Sequence, residues 1–150
     1  MITPEFILAG KAIFTISLPK EFADKHQSHY TFKINLKENP DGSAIGPYFV
    51  SVLTGPDNWV NYSYIGTLDE KTKQVRTTAK SKWNSETFGV KLLNRVLFKI
   101  FSNDSQSITN AGFDVHHIGK CARCLAPLTV PLSIQTGFGP ECRKILGITA

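Results

Sequence analysis

A C-x-x-C pair answered by a distant third cysteine constrains this chain more than any other feature. The stretch HHIGKCARCLAPLTVPLSIQTGFGPECRK, residues 116–144, holds all three cysteines: Cys121, Cys124 and, after seventeen intervening residues, Cys142. Two histidines, His116 and His117, stand just upstream. Three thiolates and one imidazole form a closed tetrahedral set for structural zinc, which binds sulfur at about 2.3 Å and nitrogen at about 2.0–2.1 Å without a d-electron preference. An odd number of cysteines leaves one unpaired in any disulfide scheme, so metal is the better account of them. Either histidine has the reach to supply the fourth donor.

The motif also sets the local fold expected around it. C-x-x-C lets both thiolates face one point while turn N–H groups disperse their charge. LAPLTVPLSI, with two prolines and polar–apolar alternation, reads as a short irregular hairpin. GFGPECRKIL reads as a helix start, with Pro140 pre-set for the first turn and Cys142 where the helix dipole favours a thiolate. Knuckle, hairpin and ligand-bearing helix together describe a treble-clef-like zinc finger over 112–150.

The remaining residues read as scaffold. Residues 6–18 suggest a short element, a turn and a strand ended by Pro19; residues 20–29 are polar and read as a loop. In YTFKINLKENPDG, Tyr30, Phe32, Ile34 and Leu36 alternate with polar neighbours, the pattern of a half-buried strand closed by turn residues. PYFVSVLTG, 47–55, is apolar enough for a central strand covered on both faces. WVNYSYIGTL, 59–68, and QVRTTAK, 74–80, complete an antiparallel meander of about five strands, because no helix intervenes to allow parallel pairing. From Glu86 the period changes: Phe88, Leu92, Leu93, Val96, Leu97, Ile100 and Phe101 recur at spacings of three and four, predicting an amphipathic helix of about four turns capped by Asn84 or Ser85. Residues 102–112 read as a polar linker. The fold class expected is α+β: sheet and helix in a body over 1–103, then the finger. At 150 residues the length suits about one domain with a metal-stapled appendage.

Charge narrows the choice of partner. The net charge of +5 divides unevenly, −3 over residues 1–70, +7 over 71–99 and +1 over 100–150. Within the helix, Lys91, Arg95 and Lys99 fall at i, i+4 and i+8 and form one cationic row. With Lys80 and Lys82 before it, and Lys120, Arg123, Arg143 and Lys144 in the finger, they form the candidate nucleic-acid-binding set, and Trp59, Tyr62, Tyr64 and Trp83 are candidate stacking groups. DNA or RNA is one partner class expected; a host protein is the other, since zinc fingers serve either. No apolar run reaches the roughly 18–20 residues of a membrane span, and the N-terminus lacks the basic region and cleavage site of a signal peptide, so a cytoplasmic setting is expected.

Enzyme chemistry has little foothold. A zinc deaminase needs a Glu in an H-x-E motif, whereas the residues two after His116 and His117 are Ile118 and Gly119. The sequence carries no phosphate-binding glycine loop before a helix and no Ser-His-Asp or paired-carboxylate pattern. A non-enzymatic protein is expected.

The finger resembles a family of small phage and bacterial proteins known only as a domain of unknown function, with the pattern H-x-G-[KR]-C-x-x-C-G-R-x-L-T-x-x-x-S-I-x-x-G-x-G-P-x-C. Matching positions are His117, Gly119, Lys120, Cys121, Cys124, Leu128, Thr129, Ser133, Ile134, Gly137, Gly139, Pro140 and Cys142. The blocks FILAGKAIFT and PYFVSVLTGPDNWVNYSYIG look like the N-terminal half of longer phage members. The Gly-Arg after the second cysteine is Leu125-Ala126 here. The resemblance implies zinc, a phage origin and thus a host cytoplasm, and it favours His117 over His116 as the fourth ligand.

Overall fold

A computed structural model describes residues 2–56 and 61–148, with the backbone alone at Ala44. It contains one six-stranded antiparallel sheet of order β5-β4-β3-β2-β1-β6. The strands are β1 Lys11–Ser17, β2 His29–Glu38, β3 Ala44–Leu53, β4 Tyr62–Leu68, β5 Val75–Thr77 and β6 Asp114–His117. The α+β class and the five-strand meander are as expected from the sequence. Trp59 and Val60, at the start of the fourth expected strand, lie outside the described residues.

Alternation builds the core. Phe32 of β2 stands opposite Phe14 on one side and Val52 on the other, and Ile34 opposite Ala12 and Val50. All six are buried. The helix α3, Phe88–Phe101, adds Val90, Leu92, Leu93, Val96, Leu97 and Ile100 to this same core, which is why an apolar stripe repeats at three and four along it. The other sheet face is only half-covered: Phe49, Ser51, Leu53, Tyr62 and Tyr64 are intermediate in exposure. That corrects the expectation of a third strand covered on both faces, since among its described side chains only Val50 and Val52 are buried. On this second face the Lys33 ammonium lies 4.6 Å from the Tyr62 ring centroid, and the Thr15 and Thr31 hydroxyls pair at 2.7 Å.

Two devices fit β5 to its neighbours. Pairing of Val50 with Gly66 and Ser51 with Tyr64 marks a bulge at Ile65, and a Cβ on Gly66 would sit 2.0 Å from the Arg76 carbonyl oxygen. Only glycine permits that approach. On the far edge, the Asn94 side chain of α3 accepts from the Val75 N–H at 2.7 Å and donates to the Val75 carbonyl at 3.3 Å. One amide thus stands in for a missing strand and blunts the sheet edge.

Short elements were less visible in the sequence. The stretch 20–29 includes the helical turn α2, Lys20–Ala23, and a further turn, α1, Pro4–Ile7, is capped where the Phe6 N–H donates to Thr3 Oγ1 at 3.2 Å. The expected linker 102–112 contains α4, Ser105–Asn110, held by buried Ile108 and by the Ser107 hydroxyl donating to Asp104 at 2.7 Å. The N-cap of α3 is Thr87 rather than Asn84 or Ser85; Asn84 instead accepts from the Glu86 N–H at 2.9 Å in the preceding turn.

The C-terminal residues join this architecture through β6, whose Val115 and His117 pair with Ile16 and Phe14 of β1. The Lys11 N–H also donates to the Ala122 carbonyl at 2.8 Å. After the cysteine pair come α5, Pro131–Thr136, and α6, Pro140–Leu146. The irregular hairpin expected over 125–134 is reduced to one bridge, Lys120 with Pro127; proline at the first helical position starts α5 instead. Phe138, Cys121 and Cys142 belong to the same apolar core as the sheet. Among the described residues no helix is long and apolar enough to cross a membrane.

Candidate metal centre

Backbone hydrogen bonds shape the cysteine loop. The Cys121 N–H donates to the Ala126 carbonyl and the Leu125 N–H to the Cys121 carbonyl, both at 2.9 Å. Closing that loop forces Leu125 to φ 66°, in the left-handed region. The pattern that the finger resembles has glycine at this position, the residue that adopts such a φ without a Cβ penalty. Leu125 therefore carries a local strain that the pattern residue avoids.

The third thiol comes from α6. Gly139 is its N-cap and Pro140 opens its first turn, which sets Cys142 against the loop. All three Sγ atoms lie within 4.8 Å of one another. A tetrahedral ion with bonds of about 2.3 Å needs sulfurs about 3.8 Å apart, so the cluster is of the size for a shared ion. All three are free thiols, Cys121 and Cys142 buried and Cys124 exposed. Soft donors, convergence and burial fit these residues to hold a metal ion.

Local donors treat the sulfurs as acceptors. The Arg123 N–H reaches Cys121 Sγ at 3.5 Å and its guanidinium Nη1 reaches Cys142 Sγ at 3.6 Å. Burial pushes the Cys121 thiol up, but N–H groups of Gly139, Arg123 and Cys124 outweigh it and hold the thiol below its ordinary value. Burial pushes the Cys142 thiol up to about 11, against the lowering contact from Arg123. The contact with Cys142 in turn raises the Arg123 guanidinium.

The two histidines occupy opposite faces of β6. His117 faces the core side, where its Nε2 donates to the Ile134 carbonyl at 2.6 Å and its Nδ1 accepts from the Gly119 N–H at 2.9 Å. Its ring stacks on Phe6 at 6.1 Å, and a Cβ on Gly137 would meet Phe6 at 2.5 Å. His117 is therefore not grouped with the three thiols. His116 faces the other way and pairs through Nδ1 with Asp114 at 2.8 Å.

The candidate nucleic-acid residues separate into three situations. Lys80, Lys82, Lys91, Arg95 and Lys144 are exposed, while Lys99 and Lys120 are half-buried. Lys91 pairs with Glu86 at 3.7 Å and Lys99 with Asp104 at 3.3 Å. Arg123 is exposed but engaged with the thiols. Arg143 points inward, donating to Ser133 Oγ at 2.6 Å and to the Phe138 carbonyl at 2.8 Å. Trp83 donates from Nε1 to Ser63 at 3.0 Å and packs against the core, and the Tyr62 hydroxyl is buried. Sequence reasoning missed the roles of Arg143, Asn94 and Phe6, none of which carries a motif. Only Asp114-x-His116 had a signal, because residues i and i+2 share a strand face.

Residues 112–147 match the family described as Family of unknown function (DUF6011). The match spans β6, the three cysteines and all of α6; it supports the expected likeness to a family of unknown function, and its description assigns neither a zinc finger nor an activity. No curated protein and no solved structure matches the chain.

Proposed function

We propose that this is a non-enzymatic, phage-type zinc protein that binds nucleic acid through a basic surface. Cys121, Cys124 and Cys142 would hold zinc as a structural ion, tying the loop to α6. His117 is the proposed fourth donor, and serving as one requires a ring nitrogen to leave its present partner, Nδ1 the Gly119 N–H or Nε2 the Ile134 carbonyl. The protein's own residues prepare the site: Arg123 offsets thiolate charge, and the β6–β1 pairing fixes the loop against the sheet.

The observation that carries the nucleic-acid reading is the cationic row of α3, exposed at Lys91 and Arg95 and half-buried at Lys99. Arg95 has no ion pair among the described residues, and the Lys91 partner, Glu86, is a solvent-exposed carboxylate that a phosphate can displace at little cost, while Lys99 is held by half-exposed Asp104. Binding should fall steeply with salt, with a log–log slope of roughly −0.7 to −0.9 for each neutralised phosphate. Fluorescence anisotropy with labelled DNA and RNA across a salt series tests this; absence of binding at low salt removes it.

A second reading, a module that binds a host protein and modulates a host enzyme or defence system, is favoured by a specific feature of the finger. Val130, Ile134, Ile145 and Leu146 are all exposed, between 44% and 62%. Charge-poor apolar side chains of this kind suit a protein surface better than a phosphate backbone. Nuclease-treated pull-down from host lysate separates the readings: a partner that survives nuclease supports the second.

A further inference from the structure

The polar side of α3 also holds an aromatic group that its helical pattern does not account for. Leu92, Leu93, Val96, Leu97 and Ile100 are all buried, yet Phe98 is 58% exposed. It stands three residues after Arg95, seven after Lys91 and next to Lys99, so ring and cations share one side of the helix. These four, with Gln74, Ser85 and Asn94, line an open basin of about 520 Å³. No carboxylate is among its lining residues, although Glu86 and Asp104 pair with Lys91 and Lys99 from outside it. Ring, basin and positive charge coincide.

Resting on the nucleic-acid reading, we propose that this basin is the binding surface and that its ligand is single-stranded nucleic acid, with one unpaired base stacked on Phe98 and adjacent phosphates on Lys91, Arg95 and Lys99. A duplex hides its base faces and offers Phe98 nothing to stack on, whereas an unpaired strand presents both a π face and a phosphate within one nucleotide. Phosphate contacts alone would not call for an exposed phenyl ring among cations. Stacking is tolerant of sequence, so the surface selects strandedness rather than base identity.

The test measures anisotropy of labelled oligothymidylate, and of a duplex of equal length, at low salt with the full chain. The parent protein is expected to bind the single strand at least about 10-fold more tightly than the duplex. Phe98→Ala and Phe98→Leu are expected to weaken single-strand binding by about 5- to 150-fold, the effect of losing one stacked base, with an unchanged salt slope. Phe98→Trp is expected to preserve binding. Arg95→Ala is expected to weaken binding and flatten the slope by about 0.7. Leucine at 98 is the control for folding, because it keeps an apolar helix-forming side chain without a π face. Single-strand binding that both Phe98 variants leave intact, or a duplex bound as tightly as the single strand, overturns the proposal while the broader reading stands. No binding of either probe by the parent overturns both.

Discussion

The Arg143 guanidinium donates to the Ser133 hydroxyl at 2.6 Å, joining α6 to α5. Ser133 is 1% exposed, so its hydroxyl depends on that donor. Replacing Arg143 with alanine is expected to destabilise the chain by about 1–3 kcal/mol, the range for a buried polar group left unpaired. A thermal melt reads the loss, and single-strand affinity should remain near the parent value because this side chain faces the interior.

Strain at Leu125 points to a stabilising substitution. A non-glycine residue at φ 66° costs roughly 1–2 kcal/mol. Leu125→Gly is expected to return about 1 kcal/mol of that, net of the unfolded chain's added entropy and the lost contacts of a half-buried side chain. Chemical denaturation should show a raised midpoint at constant slope; a lowered midpoint would mean that the side chain's packing outweighs the backbone cost.

Metal dependence is the direct check on the thiol cluster. Chelation is expected to lower the melting temperature by about 10 °C or more, since structural zinc contributes folding free energy outright. Cys121→Ser and Cys142→Ser should reproduce the shift and abolish stoichiometric zinc in elemental analysis. The same measurements on His117→Ala define its role. Loss of zinc affinity makes the imidazole a donor, whereas a lower melting temperature at full zinc content assigns it to the Ile134 and Gly119 hydrogen bonds.

The β4–β5 turn should contribute to acid sensitivity, as should the turns holding Asp41 and Asp104, whose carboxyls are likewise held low by hydrogen bonds. N–H groups of Thr72 and Lys71 donate to Asp69 and hold its carboxyl below the usual range. A depressed folded value means stability that is present above the unfolded value near 3.9 and lost as pH falls through the folded one. Asp69→Asn should therefore lower stability at neutral pH and flatten its fall below about pH 4, measured by denaturation midpoints across pH.

At the sheet edge, Asn94→Ala removes both bonds to Val75 and is expected to cost about 1–3 kcal/mol. Asn94→Asp keeps the acceptor but loses the donor, and should fall between the parent and alanine variants in the same melt.

Long periodic segments were legible because burial writes its period into them. Tyr30 to Leu36 alternates since one face of β2 is core, and α3 repeats at three and four for the same reason. The cysteine cluster was legible because its chemistry admits few alternatives. By contrast, β6 is four residues with one aliphatic side chain, too short for any period to emerge. The helix α4 has Ile108 as its one buried side chain in a run of serine, glutamine, threonine and asparagine. Asn94 and Arg143 look like solvent-facing residues of their helices; only the tertiary arrangement gives each a backbone or hydroxyl partner. Phe98 fell outside the apolar stripe of α3, and its exposure became a clue only once its neighbours were seen to be cationic.

The pairing of β6 with β1 has a consequence for the chain without metal. Strand β1 is apolar along most of its length, and what closes its outer edge is a short segment leading directly into the cysteine loop. If that segment detaches, β1 presents unpaired N–H and carbonyl groups to any neighbouring chain, the usual template for intermolecular sheet extension. If the thiol cluster holds that segment through a bound metal, as proposed, its loss is expected to open this edge to sheet extension as well as to lower the melting point.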